Sequence, residues 1–189
     1  MGEHGSEARA SAGGVELFIH RGAAAVSIRV SESARGRVAR ALGIDALPSN
    51  NRTIATRFGT VLWVRPDGWL VTGADTSRSA IIAALEESVG GHDGAVVDVS
   101  SSRLRLELCG NASRDVLASC CPVDVHPRRF MVGQCAQSVI ARAPVLIHLV
   151  DETPRWHLYV RPSLADYVIA WLMDGIRVEG RSSLSRALP

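Results

Sequence analysis

The chain has 189 residues, 47% hydrophobic and 21% charged. That is enough to bury a core without metal or disulfide staples, and it excludes global disorder. Its 21 basic residues against 19 acidic ones leave a formal charge of +2, too weak a field to argue for nucleic acid or an anionic membrane. Every one of those basic residues is Arg, which removes Schiff-base chemistry, a phosphate-loop lysine and a lysine base.

Met1–Gly14 is rich in Gly, Ala and Ser and reads as a flexible arm, residues 1–14. Val15–His20 and Ala23–Val30 alternate as strands, and Ser31 or Ser33 starts a short helix that Gly43 stops. Thr53–Arg57 and Thr60–Arg65 read as strands. Pro66-Asp67-Gly68 is a turn, because Pro presets φ and Gly tolerates the conformation the turn then needs, and Trp69–Thr72 is the returning strand. A helix with Ile81, Ile82, Leu85 and Val89 on one stripe ends at Gly90-Gly91.

Ala95–Val99 is a short strand. Arg103–Cys109 sets Leu104, Leu106 and Leu108 against Arg103, Arg105 and Glu107, a strand with one wet or partner-facing side. A helix near Ala112–Cys120 leads into a long basic loop, Val123–Gly133, and then three strands, Gln134–Arg142, Val145–Val150 and Arg155–Arg161. Ser163 and Asp166 have capping-box spacing for a last helix running to Asp174, with Leu164, Tyr167, Val168, Trp171 and Leu172 inward. Gly175 ends it, and residues 176–189 read as a tail.

Trp69 precedes Ile81 and Leu85 by the same spacings as Trp156 precedes Val168 and Leu172. A duplicated β-β-α unit explains the echo, so the fold class expected is α+β. One domain spans residues 15–175, with pseudo-repeats at 15–94 and 95–175.

Catalytic kits are scarce. The histidines, His4, His20, His92, His126, His148 and His157, have no metal-ligand spacing, although His148 and His157 fall on adjacent strands. Asp98 and Asp124 bracket a strand–helix unit and suit turn caps better than general bases. GxSxG and GxGxxG are both absent. Cys109, Cys120, Cys121 and Cys135 fit neither a zinc site nor an ordinary disulfide, so reduced thiols of a cytoplasmic protein are expected. No apolar run is long enough to span a bilayer. These residues define no active site: catalytic, cofactor-binding and metal residues are all read as none.

The block Cys121-Pro122-Val123-Asp124-Val125-His126-Pro127 … Phe130 … Gly133-Gln134-Cys135-Ala136-Gln137 resembles the gamma subunits of heterotetrameric sarcosine oxidases. So do Trp63 … Pro66-Asp67-Gly68-Trp69-Leu70 and Leu158-Tyr159-Val160-Arg161-Pro162-Ser163. The resemblance covers roughly Val61–Leu172. Through that family the chain is distantly similar to the aminomethyltransferase, or folate-binding, fold of glycine cleavage T-proteins, which implies ferredoxin-like β-β-α halves.

The resemblance implies a non-catalytic role in assembling and stabilising a complex that oxidatively demethylates sarcosine. Its products would be glycine, hydrogen peroxide and formaldehyde or methylene-tetrahydrofolate. The implied partners are alpha, beta and delta subunits, which would hold FAD, FMN, NAD and zinc, with tetrahydrofolate as cosubstrate and none of these on this chain. Where T-proteins carry an acidic pair, this chain reads Ala141-Arg142-Ala143-Pro144-Val145-Leu146. The other reading is a stand-alone folate-binding aminomethyltransferase-like protein. Arg103, Arg105, His126, Arg128 and Arg129 are the candidate partner contacts.

Overall fold

The computed structural model describes residues 6–186 except His92. The chain divides into two compact units. One is continuous, Gly22–Arg103. The other is split, made of residues up to Arg21 and from Leu104 onward.

The split unit opens with β1 (Ser6–Ala12) and β2 (Val15–His20), an antiparallel pair. Gly13 and Gly14 join them at φ 60° and 74°, the two left-handed positions of a type I′ hairpin turn. Residues 6–12 are therefore strand, not part of a flexible arm. Gly-Gly ahead of the alternating Val15–His20 was the available hairpin signal. Residues 1–5 lie outside the described residues.

The continuous unit runs β3 (Ala24–Val30), α1 (Arg35–Leu42), β4 (Thr53–Thr56), β5 (Gly59–Arg65), β6 (Gly68–Gly73), α2 (Arg78–Val89) and β7 (Gly94–Asp98). Its sheet has the order β4-β5-β6-β3-β7, antiparallel throughout. Without β4, this is the ferredoxin-like arrangement of β-α-β-β-α-β. Alternation places Val26 and Ile28 of β3 in one core with Val38 and Leu42 of α1 and Ile81, Leu85 and Val89 of α2. Gly43 and Gly90 terminate the two helices in left-handed conformations. Gly73 is obligatory for a different reason: a Cβ there would lie 2.2 Å from the Phe58 carbonyl oxygen.

The split unit resumes with β8 (Leu104–Cys109), α3 (Ser113–Cys120), β9 (Cys135–Ile140), β10 (Ala143–Asp151), β11 (Arg155–Val160) and α4 (Ala165–Arg186). Sheet order is β1-β2-β8-β11-β10-β9, again antiparallel. The segment β2-β8-β11-β10-β9 repeats the order of the first sheet, with β2 in the position that β7 holds there and β1 added outside it. Trp69 on β6 and Trp156 on β11 are therefore counterparts, as are Ile81 and Val168, and all four are buried. The units break at Gly22 and Leu104, not between residues 94 and 95. Pairing decides this, because β7 joins β3 and β2 joins β8.

Three expectations for the last helix fail. It continues through residues 176–186 as helix, not tail; residues 187–189 lie outside the described residues. Gly175 does not end it, because this glycine faces α3, where a Cβ would stand 3.0 Å from Val116. It permits close helix packing. Tyr167 and Trp171 are exposed, not inward, since the buried stripe of α4 is Ala165, Val168, Leu172 and Ile176.

Candidate functional site

The sequence block that reads as distinctive, 121–135, is a shaped loop on the split unit. Its apolar members Cys121, Val125, Phe130 and Cys135 are buried, while His126, Pro127, Arg128 and Arg129 are exposed. Arg114 of α3 holds the loop from beneath. Its guanidinium donates to the carbonyls of Val125 and Phe130, and it lies 5.2 Å from the centroid of the Trp156 ring. Phe130 packs on the same indole with ring centroids 5.2 Å apart.

Short-range bonds fix the tip. Asp124 Oδ1 accepts the His126 N–H at 3.0 Å, and His126 Nδ1 accepts the Arg128 N–H at 3.2 Å. Arg129 and Phe130 both donate their N–H to the His126 carbonyl. Gln134 Oε1 takes the Met131 N–H at 2.7 Å, and Gly133 donates to the Leu149 carbonyl on β10. The result is a rigid basic tip beside two exposed apolar side chains, Met131 and Val132. Such a tip presents cations and apolar surface at little ordering cost.

The second polar cluster lies on the face of the split sheet opposite its core. Glu107 on β8 pairs across strands with His157 on β11, which pairs with His148 on β10. Glu107 Oε2 is 3.3 Å from Nε2 of both His157 and His20. The two imidazoles hold the Glu107 carboxyl far below the usual carboxylate range. Burial pushes His148 down to about 3, with the nearby His157 adding to the shift. Burial also lowers His157, against the pull of Glu107. Glu107 is thus paired within the sheet face, beside His148 and His157, which burial favours in the neutral form, a structural polar network.

Of the wet or partner-facing side expected for Arg103–Glu107, the freely wet alternative does not hold around Glu107. Arg105 is half-buried, and the Glu107 side chain is only 15% exposed and internally paired. Arg103 is exposed at the end of the continuous unit. His126, Arg128 and Arg129 are thus brought together on one loop, while Arg103 and Arg105 belong to different units. Asp98 caps a turn: its Oδ1 accepts from the Ser100 N–H at 2.9 Å and the Ser100 hydroxyl at 2.6 Å.

The four cysteines are free thiols, and burial pushes Cys120 up to about 11, which suits packing and not nucleophilic attack. Among the described residues no group of three His, Cys, Asp or Glu is placed to hold a metal ion. No helix among them is long and apolar enough to cross a membrane. His4 and His92 lie outside the described residues.

Sequence reasoning missed Arg114 and the pairing of His20 with Glu107. Alternation alone puts Glu107 and His157 on the non-core faces of their strands, but the register that joins them is a long-range property.

Two ferredoxin-like α+β units, one carrying a rigid loop, define the class of protein. Among solved structures, the chain resembles one from heterotetrameric sarcosine oxidase of Corynebacterium sp. U-96. The two share 27% identity with a TM-score of 0.83, over 92% of this chain and 89% of that one. The glycine cleavage aminomethyltransferase T of Bartonella henselae shares the fold at 14% identity and TM-score 0.68, over 85% of this chain and 45% of that one. Residues 27–177 match the sarcosine oxidase gamma subunit family. Curated relatives include the sarcosine oxidase subunits gamma of Arthrobacter sp., 33% identical, and of Corynebacterium sp. strain P-1, 34% identical. Each match covers 92% of this chain and 87% of the relative. The chain belongs to the sarcosine oxidase gamma subunit family.

Proposed function

We infer that this chain is the gamma subunit of a heterotetrameric sarcosine oxidase, with no active site of its own. Its 33% identity to the Arthrobacter gamma subunit over 180 residues carries that reading. The engaged state of its polar groups supports the non-catalytic part: Glu107, His20 and His157 serve one another, and Asp98 serves a turn. The complex is a flavoenzyme of the cytoplasm. FAD, FMN, NAD and zinc reside on the alpha, beta and delta subunits, with tetrahydrofolate as cosubstrate. The loop tip of His126, Arg128 and Arg129 makes a partner contact, and Arg103 and Arg105 contribute at the β8 end.

Coexpression of the tagged chain with the neighbouring alpha, beta and delta chains tests this. Copurification of a yellow complex that makes peroxide from sarcosine is expected. Separate elution of this chain from a fully active flavoprotein overturns it. Replacing His126, Arg128 and Arg129 together by Ala should lower the copurified yield; an unchanged yield removes the loop from the contact.

The aminomethyltransferase T likeness supports a second reading, a folate-binding protein acting alone. Calorimetric titration of the isolated chain with tetrahydrofolate tests it. No heat of binding is expected, in keeping with the lack of a carboxylate at 141–146.

A further inference from the structure

The two sheets of the duplicated fold differ at one edge. In the split sheet β2 stands beside β8, and the hairpin strand β1 covers it along Ser6–Ala12. In the continuous sheet β7 holds the place of β2, and among the described residues no strand lies beyond it.

The register shows what β7 leaves bare. Ser31 donates its N–H to the Asp93 carbonyl at 2.8 Å, and Val99 donates to the Ala25 carbonyl at 2.9 Å. Both bonds continue the β3–β7 register, so the hydrogen-bonded pairs between them are Arg29 with Ala95 and Ser27 with Val97. Val30 keeps the alternation by donating the other way, to the Asp67 carbonyl. The backbone N–H and C=O groups of Gly94, Val96 and Asp98 therefore point away from the sheet. Among the described residues they meet no backbone partner there.

Sheet edges are ordinarily blunted by bulges, charged side chains, Pro or a covering segment. β4 is only four residues long and stands between Arg52 and Arg57. Along β9 lie Cys120 and Cys121, whose carbonyl and thiol meet the Ala141 N–H at 2.8 Å and the Ser138 hydroxyl at 3.5 Å. β7 has no Arg and no Pro, and its register with β3 runs from Asp98 to Gly94 without a shift. Its one charge, Asp98, is turned into the cap of Ser100. Val97 is 52% exposed, and Gly94 and Ala95 are exposed beside it.

We propose that β7 receives an extended segment of another subunit of the oxidase complex, added antiparallel to the five-stranded sheet as a further strand. The proposal rests on the subunit reading above. That reading gives the other three places of a tetramer to alpha, beta and delta chains, so the strand comes from one of them and not from a second copy. The duplication selects the form of the occupant: at the same edge of the sister sheet the chain itself supplies an antiparallel strand, β1. The added strand takes its hydrogen bonds at Gly94, Val96 and Asp98. It sets an apolar side chain beside Val97 and no acid opposite Asp98, where like charges would repel.

Hydrogen exchange resolved to single amides, read on the coexpressed complex, tests this. The Val96 amide should exchange within about tenfold of the Ala95 and Val97 amides that β3 holds. Exchange of Val96 faster than that is the alternation of a bare edge and overturns the proposal, leaving the subunit reading intact. Val96→Pro removes an outward N–H, which an edge strand tolerates, and Val96→Ala keeps it; both lose the packing of Val96 on the core. Val96→Pro should weaken association with the other subunits by about tenfold more than Val96→Ala does. Equal association of the two variants overturns the proposal. Protection of Val96 in the purified chain alone, at the mass of two copies, overturns it in favour of a second copy. Failure of the wild-type chain to join the complex overturns the subunit reading, and the proposal with it.

Discussion

The two units share a strand order but treat their equivalent tryptophans and helices differently. In the continuous unit, the Trp69 indole donates to the Pro48 carbonyl at 2.8 Å and borders an open groove of about 390 Å³ with Arg35 and Trp63. In the split unit, Trp156 is fully buried beneath Phe130 and Arg114. Gly90 stops α2, and β7 then completes the continuous sheet. The equivalent position in α4 is Arg177, and in the split sheet β2 already holds the place of β7. The last helix is therefore free to run on. Duplication fixes the sheet; the chain beyond each helix, and the groups that lie over each tryptophan, specialise it.

Removing the tryptophans should expose that difference most strongly. Trp156→Ala should cost about 3–5 kcal/mol, the range for emptying a large core site, read by chemical denaturation. Trp69→Ala should cost less, because its groove is already open to solvent. Equal losses would erase the contrast. Arg114→Ala comes next. It strands the Val125 and Phe130 carbonyls and uncovers Trp156, for about 2–3 kcal/mol. Limited proteolysis should then cut within 121–134 well before the rest of the chain, and an uncut loop would mean that Phe130 alone anchors it.

Among the described residues the polar face of the split sheet has no equal in the continuous one, and it should set the acid limb of stability. His148 and His157 are depressed in the folded state, so below about pH 6.5 the unfolded chain binds protons that the native chain refuses. Their contribution is present above that pH and is lost as pH falls towards the folded value, which is about 3 for His148. Glu107, also depressed, keeps its contribution above the ordinary carboxylate range and loses it as pH falls from there towards its lower folded value. Replacing His148 with Leu should flatten the fall in melting temperature between pH 6.5 and 4. An unchanged slope would put the acid sensitivity elsewhere. The smallest effect should come from Arg177→Gly, which imitates Gly90 and should cost about 1 kcal/mol. Hydrogen exchange would show it as faster exchange beyond residue 177 alone.

The sheets, α1, α2 and the tryptophan echo were legible because each rests on local alternation, a glycine stop or a fixed spacing. The hairpin of β1 and β2 had its signal in Gly13-Gly14, yet its pairing with β8 spans the whole continuous unit. Gly175 misled because a glycine that ends a helix and one that admits a neighbouring helix look alike in sequence. Tyr167 and Trp171 misled because hydrophobicity says which residues seek cover and not which partner provides it. At the candidate site, His126, Arg128 and Arg129 were legible as a basic loop, whereas Arg114 was not, since its two acceptors are backbone carbonyls 11 and 16 residues away.

The most direct measurement compares the oxidase complex assembled with and without this chain, reading sarcosine-dependent peroxide production per flavin and its half-life at elevated temperature. A non-catalytic stabilising subunit predicts a shorter half-life and lower assembled yield without the chain, with turnover per flavin unchanged in the complex that does assemble. Lost turnover per flavin in an intact, stable complex lacking this chain would contradict the account and place part of the chemistry here.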